Sequence, residues 1–314
     1  MSLIEQAAKR LEQLRQAGVE LPDEKTPQFF SQDVTAVSTP TTESSFTAKR
    51  APSPAIEQIV PAEADKISTE SSKRIELNLE AISASGLLVP QESRSRLDDE
   101  YRVIKRPLIA NAMGRGIAHI SNGNLIMITS ALPGEGKSFT AINLAISIAM
   151  ELDNTVMLVD ADVARPSILN MLGLPPALGL LDVVAKDSTD ISPVLLRTNI
   201  EKLSILPSGT AHARATELLA SDAMIRLLDD MSSRYSDRII IFDSPPLLLT
   251  TEARALATHM GQIVVVVNAE KTTQTAVKQA VAAIEDCQVK MMVLNQARQA
   301  PTDGYGYGYG YGYE

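Results

Sequence analysis

One short segment of the chain carries the residue types that bind a chain of phosphates. It reads Ala131-Leu-Pro-Gly134-Glu-Gly136-Lys137-Ser138 and lies between an apolar segment and one free of glycine and proline. In a phosphate-binding loop, backbone N–H groups and a helix N-terminus cradle the phosphates, a lysine reaches the β- and γ-phosphates and a hydroxyl binds Mg²⁺. Ala131 replaces the usual first glycine, and the alternative is a glycine-rich turn that binds no nucleotide. The residues expected to contact a nucleotide are Pro133, Gly134, Glu135, Gly136, Lys137, Ser138 and Phe139.

Three aspartates follow two other apolar segments and are suited to metal and proton chemistry. Asp160 and Asp162 are two residues apart at the end of one segment, so they lie on one side of an extended chain. There they could hold a metal-bound water and accept a proton, or Asp162 could merely cap the next helix. Asp243 ends a later segment, where an aspartate that follows a phosphate-binding loop holds Mg²⁺. The predicted metal ligands are Ser138, Asp162 and Asp243.

The spacing of apolar residues predicts an alternation of strands and helices around these motifs. Strands are expected over 124–130, 155–160, 203–206, 238–243, 262–268 and 290–295, and helices near 77–87 and over 97–113, 138–152, 216–233 and 273–286. Near-continuous apolar strands separated by helices indicate an α/β fold, with a parallel sheet covered by helices on both faces. The candidate chemistry is thereby concentrated at the ends of three strands.

Composition excludes several other classes of protein. The 314 residues carry a net charge of −9, which argues against a broad nucleic-acid interface. One cysteine, Cys287, and three scattered histidines cannot build a disulfide framework or a zinc cluster. No apolar run approaches the roughly 18 residues of a membrane span, and the N-terminus lacks a signal-peptide core. We expect a cytoplasmic protein.

Both ends of the chain differ in composition from the middle. Residues 1–20 contain apolar residues at helical spacing and predict a short amphipathic helix, which could dock on a partner, a membrane surface or its own domain. Residues 21–75 are rich in Ser, Thr and Pro and are interpreted as a linker. The main domain is expected over 76–300. Residues 301–314 form a tail with tyrosine and glycine alternating, which favours an exposed tail over an edge strand.

At these motifs the chain resembles the bacterial tyrosine kinases that regulate exopolysaccharide synthesis, and within them the exosortase-associated autokinases. The resemblance covers about residues 75–314 and implies an ATP- and Mg²⁺-dependent kinase with a P-loop fold. Lys137 and Ser138 match the family's Walker A pair, Asp160 and Asp162 its Walker A′ aspartates, and Asp243 its Walker B aspartate. In the implied mechanism Lys137, Asp160 and Asp162 are catalytic, and Asp160 accepts the tyrosine proton. The implied phosphorylation sites are Tyr305, Tyr307, Tyr309, Tyr311 and Tyr313.

The same resemblance implies further contacts and partners. Asn295 falls where the family often contacts adenine. Asp99-Glu-Tyr-Arg102-Val-Ile-Lys105 corresponds to the family's helix that contacts a neighbouring subunit, with Asp and Lys replacing its Glu and last Arg. Arg165 lies one position beyond the family's Walker A′ arginine. The expected partners are further copies in a ring, a separate membrane-embedded chain-length protein that activates the kinase and holds it at the inner face of the membrane, and a tyrosine phosphatase.

Two other functions fit the same fold. A positioning ATPase of the septum-site or chromosome-partitioning type carries a signature lysine five residues before the P-loop lysine, where this chain has Leu132. Such an ATPase also has no use for five terminal tyrosines. A non-enzymatic, ATP-gated scaffold of a membrane polysaccharide complex is the third possibility, which the complete set of candidate catalytic residues disfavours.

Overall fold

A computed structural model of the chain describes residues 72–90, 95–116, 119–234 and 237–298. The predicted amphipathic helix, most of the linker and the tyrosine tail lie outside the described residues. Among the described residues there are eight strands and nine helices. The strands are β1 (Lys73–Arg74), β2 (Leu125–Ser130), β3 (Thr155–Asp160), β4 (Leu196–Arg197), β5 (Leu203–Leu206), β6 (Arg238–Asp243), β7 (Gln262–Asn268) and β8 (Val289–Asn295). The helices are α1 (Leu79–Ala84), α2 (Arg96–Ala112), α3 (Lys137–Ala149), α4 (Ile168–Met171), α5 (Leu180–Val184), α6 (Ala215–Leu219), α7 (Asp222–Arg234), α8 (Thr251–Ala257) and α9 (Gln274–Ala282).

All eight strands form one sheet, in the order β1-β4-β5-β3-β6-β2-β7-β8. The neighbours β3, β6 and β2 run parallel, so their carboxyl ends meet at one edge. Asp160 at the end of β3 is in register with Asp243 at the end of β6, and Asp243 is in register with Ile128 of β2. Asp243 thus ends the strand beside β2, which leads into the phosphate-binding loop, and Asp160 ends the next strand along the sheet.

Helices cover both faces of the sheet, as the apolar runs predict. One core cluster contains residues of α5 to α9, and the other contains residues of α1 to α4. The central strand β2 is buried along its whole length, because neither of its faces reaches water. The α/β fold expected from the sequence is confirmed. No helix in the described part of the chain has the length and apolar character to cross a membrane.

Several local features differ from the sequence-based expectation. The sheet is mixed, because β4 and β5 pair antiparallel. β1 joins the sheet beside β4, so Lys73 and Arg74, assigned to the linker from composition, belong to the domain. The single helix expected over 216–233 is two helices, because the Ser221 hydroxyl accepts from Met224 N and donates to the Leu218 carbonyl, which ends one helix and starts the next. β8 alternates between half-buried and exposed residues, as an edge strand does.

Candidate active site

The predicted phosphate-binding loop connects β2 to α3. Gly136 stands just before α3 with φ of 95°, a left-handed conformation that favours glycine. A Cβ at this position would also clash with Asn295 Nδ2 unless that side chain moved. Pro133 and Gly134 are exposed at the tip of the loop, whereas Phe139 packs against the core beneath it. The loop leads directly into a helix N-terminus, where backbone N–H groups are available to phosphate oxygens.

Lys137 is the first residue of α3 and lies among the candidate carboxylates. Its ammonium donates to Asp162 Oδ2 at 2.7 Å and lies 3.7 Å from Asp243 Oδ1. Burial alone would lower the pKa of Lys137, but Asp243 and Asp162 outweigh it and raise that pKa above its ordinary value. The lysine is therefore a fixed cation. A phosphate entering the loop would compete with Asp162 for it.

Asp160 and Asp243 are buried carboxylates, and some of their oxygens accept no hydrogen bond from the described residues. Asp160 Oδ1 and both oxygens of Asp243 are buried without a hydrogen-bond partner among the described residues. Burial raises the pKa of Asp160 to about 7, and the neighbouring Asp243 adds to the rise. Burial also raises the pKa of Asp243 to about 6, although Lys137 and Ser138 act in the opposite direction. Buried acceptors of this kind call for a bound cation or ordered water.

Ser167 is a site residue that the sequence analysis missed. Its backbone N–H and that of Ile168 both donate to Asp160 Oδ2 at 3.1 Å, and its hydroxyl donates to Ser138 Oγ at 2.8 Å. It therefore orients one aspartate and the loop hydroxyl at the same time. Asp162 closes the turn before it by accepting from Arg165 N at 3.1 Å, while the Arg165 side chain is exposed. No short motif marks Ser167, because its partners lie seven and twenty-nine residues away.

Glu135 braces the phosphate-binding loop from inside. Its buried carboxylate accepts from Leu132 N at 2.6 Å and from the Thr272 hydroxyl, which lies in the loop between β7 and α9. Asn295 Nδ2 donates to the Glu135 carbonyl at 2.9 Å, and Gln296 Nε2 donates to the Gly134 carbonyl at 3.4 Å. Asn295, expected near adenine, thus also supports the loop. The sequence analysis missed the roles of Thr272 and Gln296.

The residues present fit a magnesium–nucleotide complex. In the described part of the chain, no group of three carboxylate, histidine or cysteine side chains forms a metal cage by itself. Mg²⁺ in nucleotide-binding proteins does not require one, because it takes one or two carboxylates and completes its coordination with substrate phosphates and water. The unsatisfied oxygens of Asp243 beside the Ser138 hydroxyl match that incomplete ligand set.

The three residues expected to contact a neighbouring subunit have different surroundings on α2. Asp99 and Arg102 are partly exposed. Lys105 is buried in its own chain, where its ammonium donates to the Ser147 carbonyl and pairs with Glu151 Oε1, both at 2.6 Å. The structure therefore gives Lys105 partners within its own chain, and its contact with another subunit stays a prediction. Lys105 ties α2 to the end of α3, the helix that begins at Lys137.

Replacing Lys105 with Met should lower the free energy of unfolding by about 1–3 kcal/mol, because the Ser147 carbonyl and Glu151 lose a charged donor. Chemical denaturation monitored by circular dichroism measures the change. Arg106→Met, an exposed cation on the same helix, is the control and should change stability by less than about 0.5 kcal/mol. If the two variants are equally stable and only Lys105→Met loses self-association, Lys105 acts in a contact between subunits and has no stabilising role within its own chain.

Similarity to known proteins identifies the class of protein to which this chain belongs, and then its family. Residues 121–297 match the family described as "ParA: NUBPL iron-transfer P-loop NTPase". The chain is therefore a P-loop NTPase of the ParA-like fold.

Several relatives are named as tyrosine-protein kinases. The chain is 31% identical over 201 residues to tyrosine-protein kinase YwqD of Bacillus subtilis, covering 64% of this chain and 81% of that one. It is 32% identical over 161 residues to the succinoglycan biosynthesis transport protein ExoP of Rhizobium meliloti, covering 50% of this chain and 20% of that one. The solved structure of the chimerical protein CapA2B2 superposes with a TM-score of 0.56 at 27% identity, covering 71% of this chain and 93% of that one. The chain belongs to the bacterial protein-tyrosine kinases.

Coverage of the relatives is uneven. The chain spans most of YwqD but only 20% to 25% of several longer relatives, which include ExoP and tyrosine-protein kinase wzc of Salmonella typhimurium. About 75% to 80% of the length of these two relatives lies outside the region that this chain matches.

Proposed function

We propose that this tyrosine kinase uses Mg-ATP to phosphorylate the C-terminal tyrosines of neighbouring copies of itself. The observation that carries the proposal is the meeting of Lys137, Asp160, Asp162 and Asp243 beside the phosphate-binding loop, with buried carboxylate oxygens left for a cation. The chain also supplies an acceptor, because five tyrosines alternate with glycines at its end. Glycine on both sides of the first four tyrosines, and before Tyr313, leaves each phenol little obstructed by neighbouring side chains.

Each site residue has a defined task in this mechanism. The loop N–H groups and Lys137 bind the phosphates and offset the negative charge that develops as the γ-phosphoryl group moves. Ser138, Asp162 and Asp243 would hold Mg²⁺, which supplies further neutralisation of phosphate charge when bound. Lys137 must leave Asp162 in part to reach the phosphates, and this frees an Asp162 oxygen.

Asp160 is the proposed acceptor of the tyrosine proton. A free phenol has a pKa near ~10, so it needs a positioned base as it attacks. Burial raises the pKa of Asp160 to about 7, which suits a group that takes and releases a proton near neutral pH. Hydrogen bonds from Ser167 and Ile168 fix one oxygen, and the other oxygen has no protein partner in the described part of the chain.

A homo-oligomer would present each tail to the next subunit's site. Fully extended, the 14 residues of the tail span at most ~46–50 Å. On α2, Asp99, Arg102 and Lys105 remain the candidates for the contact between subunits. Each phosphotyrosine would add roughly −1.5 to −2 charges to a chain already at −9, and repulsion between close subunits would then favour dissociation.

The biological setting proposed is exopolysaccharide synthesis at the membrane. Its support is the relationship to ExoP, whose name places it in succinoglycan biosynthesis and transport. The predicted N-terminal helix and linker would connect the kinase to a separate membrane protein that activates it. ParA-like ATPases share the fold, but the relationship to YwqD and the five tyrosines favour the kinase.

A mixing experiment tests phosphorylation between copies. The donor is the full chain with its five tail tyrosines replaced by Phe, and the acceptor is nitrogen-15-labelled Lys137→Met, which has the tail but lacks the catalytic lysine. With Mg-ATP, mass spectrometry should find phosphotyrosine in the heavy tail, at a rate that rises with donor concentration. Acceptor alone is the control. Transfer within one chain would give a different result. The wild-type chain would then phosphorylate itself at a rate independent of its concentration, and the heavy acceptor would carry no phosphotyrosine.

A further inference from the structure

A cavity lies at the edge of the sheet opposite the phosphate-binding loop. It has a volume of about 810 Å³ and opens beside the starting residues of β3, β5 and β6, namely Thr155, Leu203 and Arg238. The candidate active site lies beyond the carboxyl ends of the same parallel strands. The two sites are thus separated by the length of the strands and share no residues.

Cations predominate in the wall of this cavity. Arg74, Arg197, Lys202 and Arg238 line it, against the two carboxylates of Glu76 and Glu201. This excess of two positive charges is set in a chain with a net charge of −9. Lys202 already donates to the Glu151 and Leu152 carbonyls. The cationic character available to a ligand therefore comes chiefly from the arginines.

Two of the arginines stand side by side without acidic partners. Arg74 of β1 is in register with Arg197 of β4 in a parallel pair, so their side chains leave the sheet on the same side. Both are exposed, and within the described residues neither forms an ion pair. Like charges directly across two strands destabilise a sheet. A bound anion would offset this repulsion. Both guanidinium groups could bind a phosphate, because each can donate two hydrogen bonds to its oxygens.

The anion must reach the arginines although the chain as a whole is acidic, so an anion carried by the protein itself is favoured. The C-terminal segment fits once it is phosphorylated: residues 299–314 contain no Lys or Arg, and their charged side chains are Asp303 and Glu314. Phosphate on a tyrosine adds three strong acceptor oxygens on the end of a long, flat ring. That shape can reach into a cavity whose cations lie on its wall.

We infer that the cavity lined by Arg74 and Arg197 binds phosphotyrosine of the C-terminal tail, and so holds the product of the reaction away from the active site. The inference rests on the proposed function for its ligand, and it assigns a regulatory site to the opposite edge of the sheet. Occupancy would keep phosphorylated tails from returning to the catalytic loop.

Fluorescence anisotropy with synthetic peptides of residues 299–314 tests this site. The protein is full-length Lys137→Met, whose own tail stays unphosphorylated, and the peptides carry either phosphotyrosine or tyrosine at position 309. We expect the phosphorylated peptide to bind at least about tenfold more tightly. Arg74→Gln combined with Arg197→Gln should remove that preference. Lys73→Gln, which removes one charge from the adjacent position of the same strand, is the control and should keep it.

Three results would overturn the inference: equal binding of both peptides, an undiminished preference in the double variant, or complete displacement by an equal concentration of inorganic phosphate. Thermal unfolding of the double variant confirms that it is folded, and Arg74→Lys with Arg197→Lys should bind with intermediate affinity because charge remains without the fork. The peptide is phosphorylated chemically, so this result does not depend on kinase activity. Tight binding by a protein that makes no phosphotyrosine would refute the proposed function alone.

Discussion

Lys137→Met is expected to lower the rate of tyrosine autophosphorylation by at least about 100-fold. Lys137 is the cation nearest the buried aspartates and stands at the start of α3, so its loss removes a positive charge from the place where phosphate charge develops. Removal of one fixed donor to such charge commonly costs about 10²–10³ in rate. The assay follows phosphotyrosine over time in purified protein with Mg-ATP.

The matched control is Lys278→Met, which removes an exposed lysine of α9 and should leave the rate unchanged. Thermal unfolding separates a chemical effect from loss of the fold. A Lys137→Met protein that is folded and labels its tyrosines at the wild-type rate would contradict the assignment of this loop.

Asp243→Asn should stabilise the ligand-free protein at pH 8 by roughly 1–3 kcal/mol while it abolishes most activity. Burial raises the pKa of Asp243 from 3.8 to about 6, so the folded chain holds this proton more tightly than the unfolded chain does. Protonation of Asp243 stabilises the folded chain fully below pH 3.8, and this stabilisation is lost as pH rises through about 6. Each unit of difference in pKa between the folded and unfolded chains corresponds to about 1.4 kcal/mol. Asn cannot ionise. The variant's advantage should therefore shrink at pH 5, as measured by chemical denaturation at both pH values.

A magnesium titration distinguishes the roles of the aspartates. Asp243→Asn should recover part of its activity in excess Mg²⁺, because it loses a proposed metal ligand. Asp160→Asn should bind nucleotide with little change and stay slow at every concentration of Mg²⁺, because it loses the proposed proton acceptor. Asp243→Asn that is less stable than wild type at pH 8, or identical titrations of the two variants, would refute these roles.

The sequence predicts the fold and the centre of the site well because both depend on local patterns. β2, β3 and β6 are apolar runs that end at the loop, at Asp160 and at Asp243, and parallel strands align these ends. Two-residue strands such as β1 and β4 are too short for any periodicity, so the antiparallel pair and the inclusion of Lys73 and Arg74 in the sheet could not be predicted.

Residues that support the site were harder to find, because their partners are distant in sequence. Lys105 is buried against a carbonyl 42 residues away, and Thr272 reaches Glu135 across 137 residues. A lysine in a helix with charged neighbours has the pattern of a surface residue. Only the packing of α2 on α3 turns it inward.

The central claim is that this chain transfers phosphate from ATP to its own tail tyrosines, and mass spectrometry of the purified full chain after incubation with Mg-ATP tests it most directly. We predict phosphate on several of Tyr305, Tyr307, Tyr309, Tyr311 and Tyr313, and none in Lys137→Met. Steady hydrolysis of ATP with every tail tyrosine unmodified, in the presence and absence of a membrane activator, would contradict the account and favour a ParA-like ATPase.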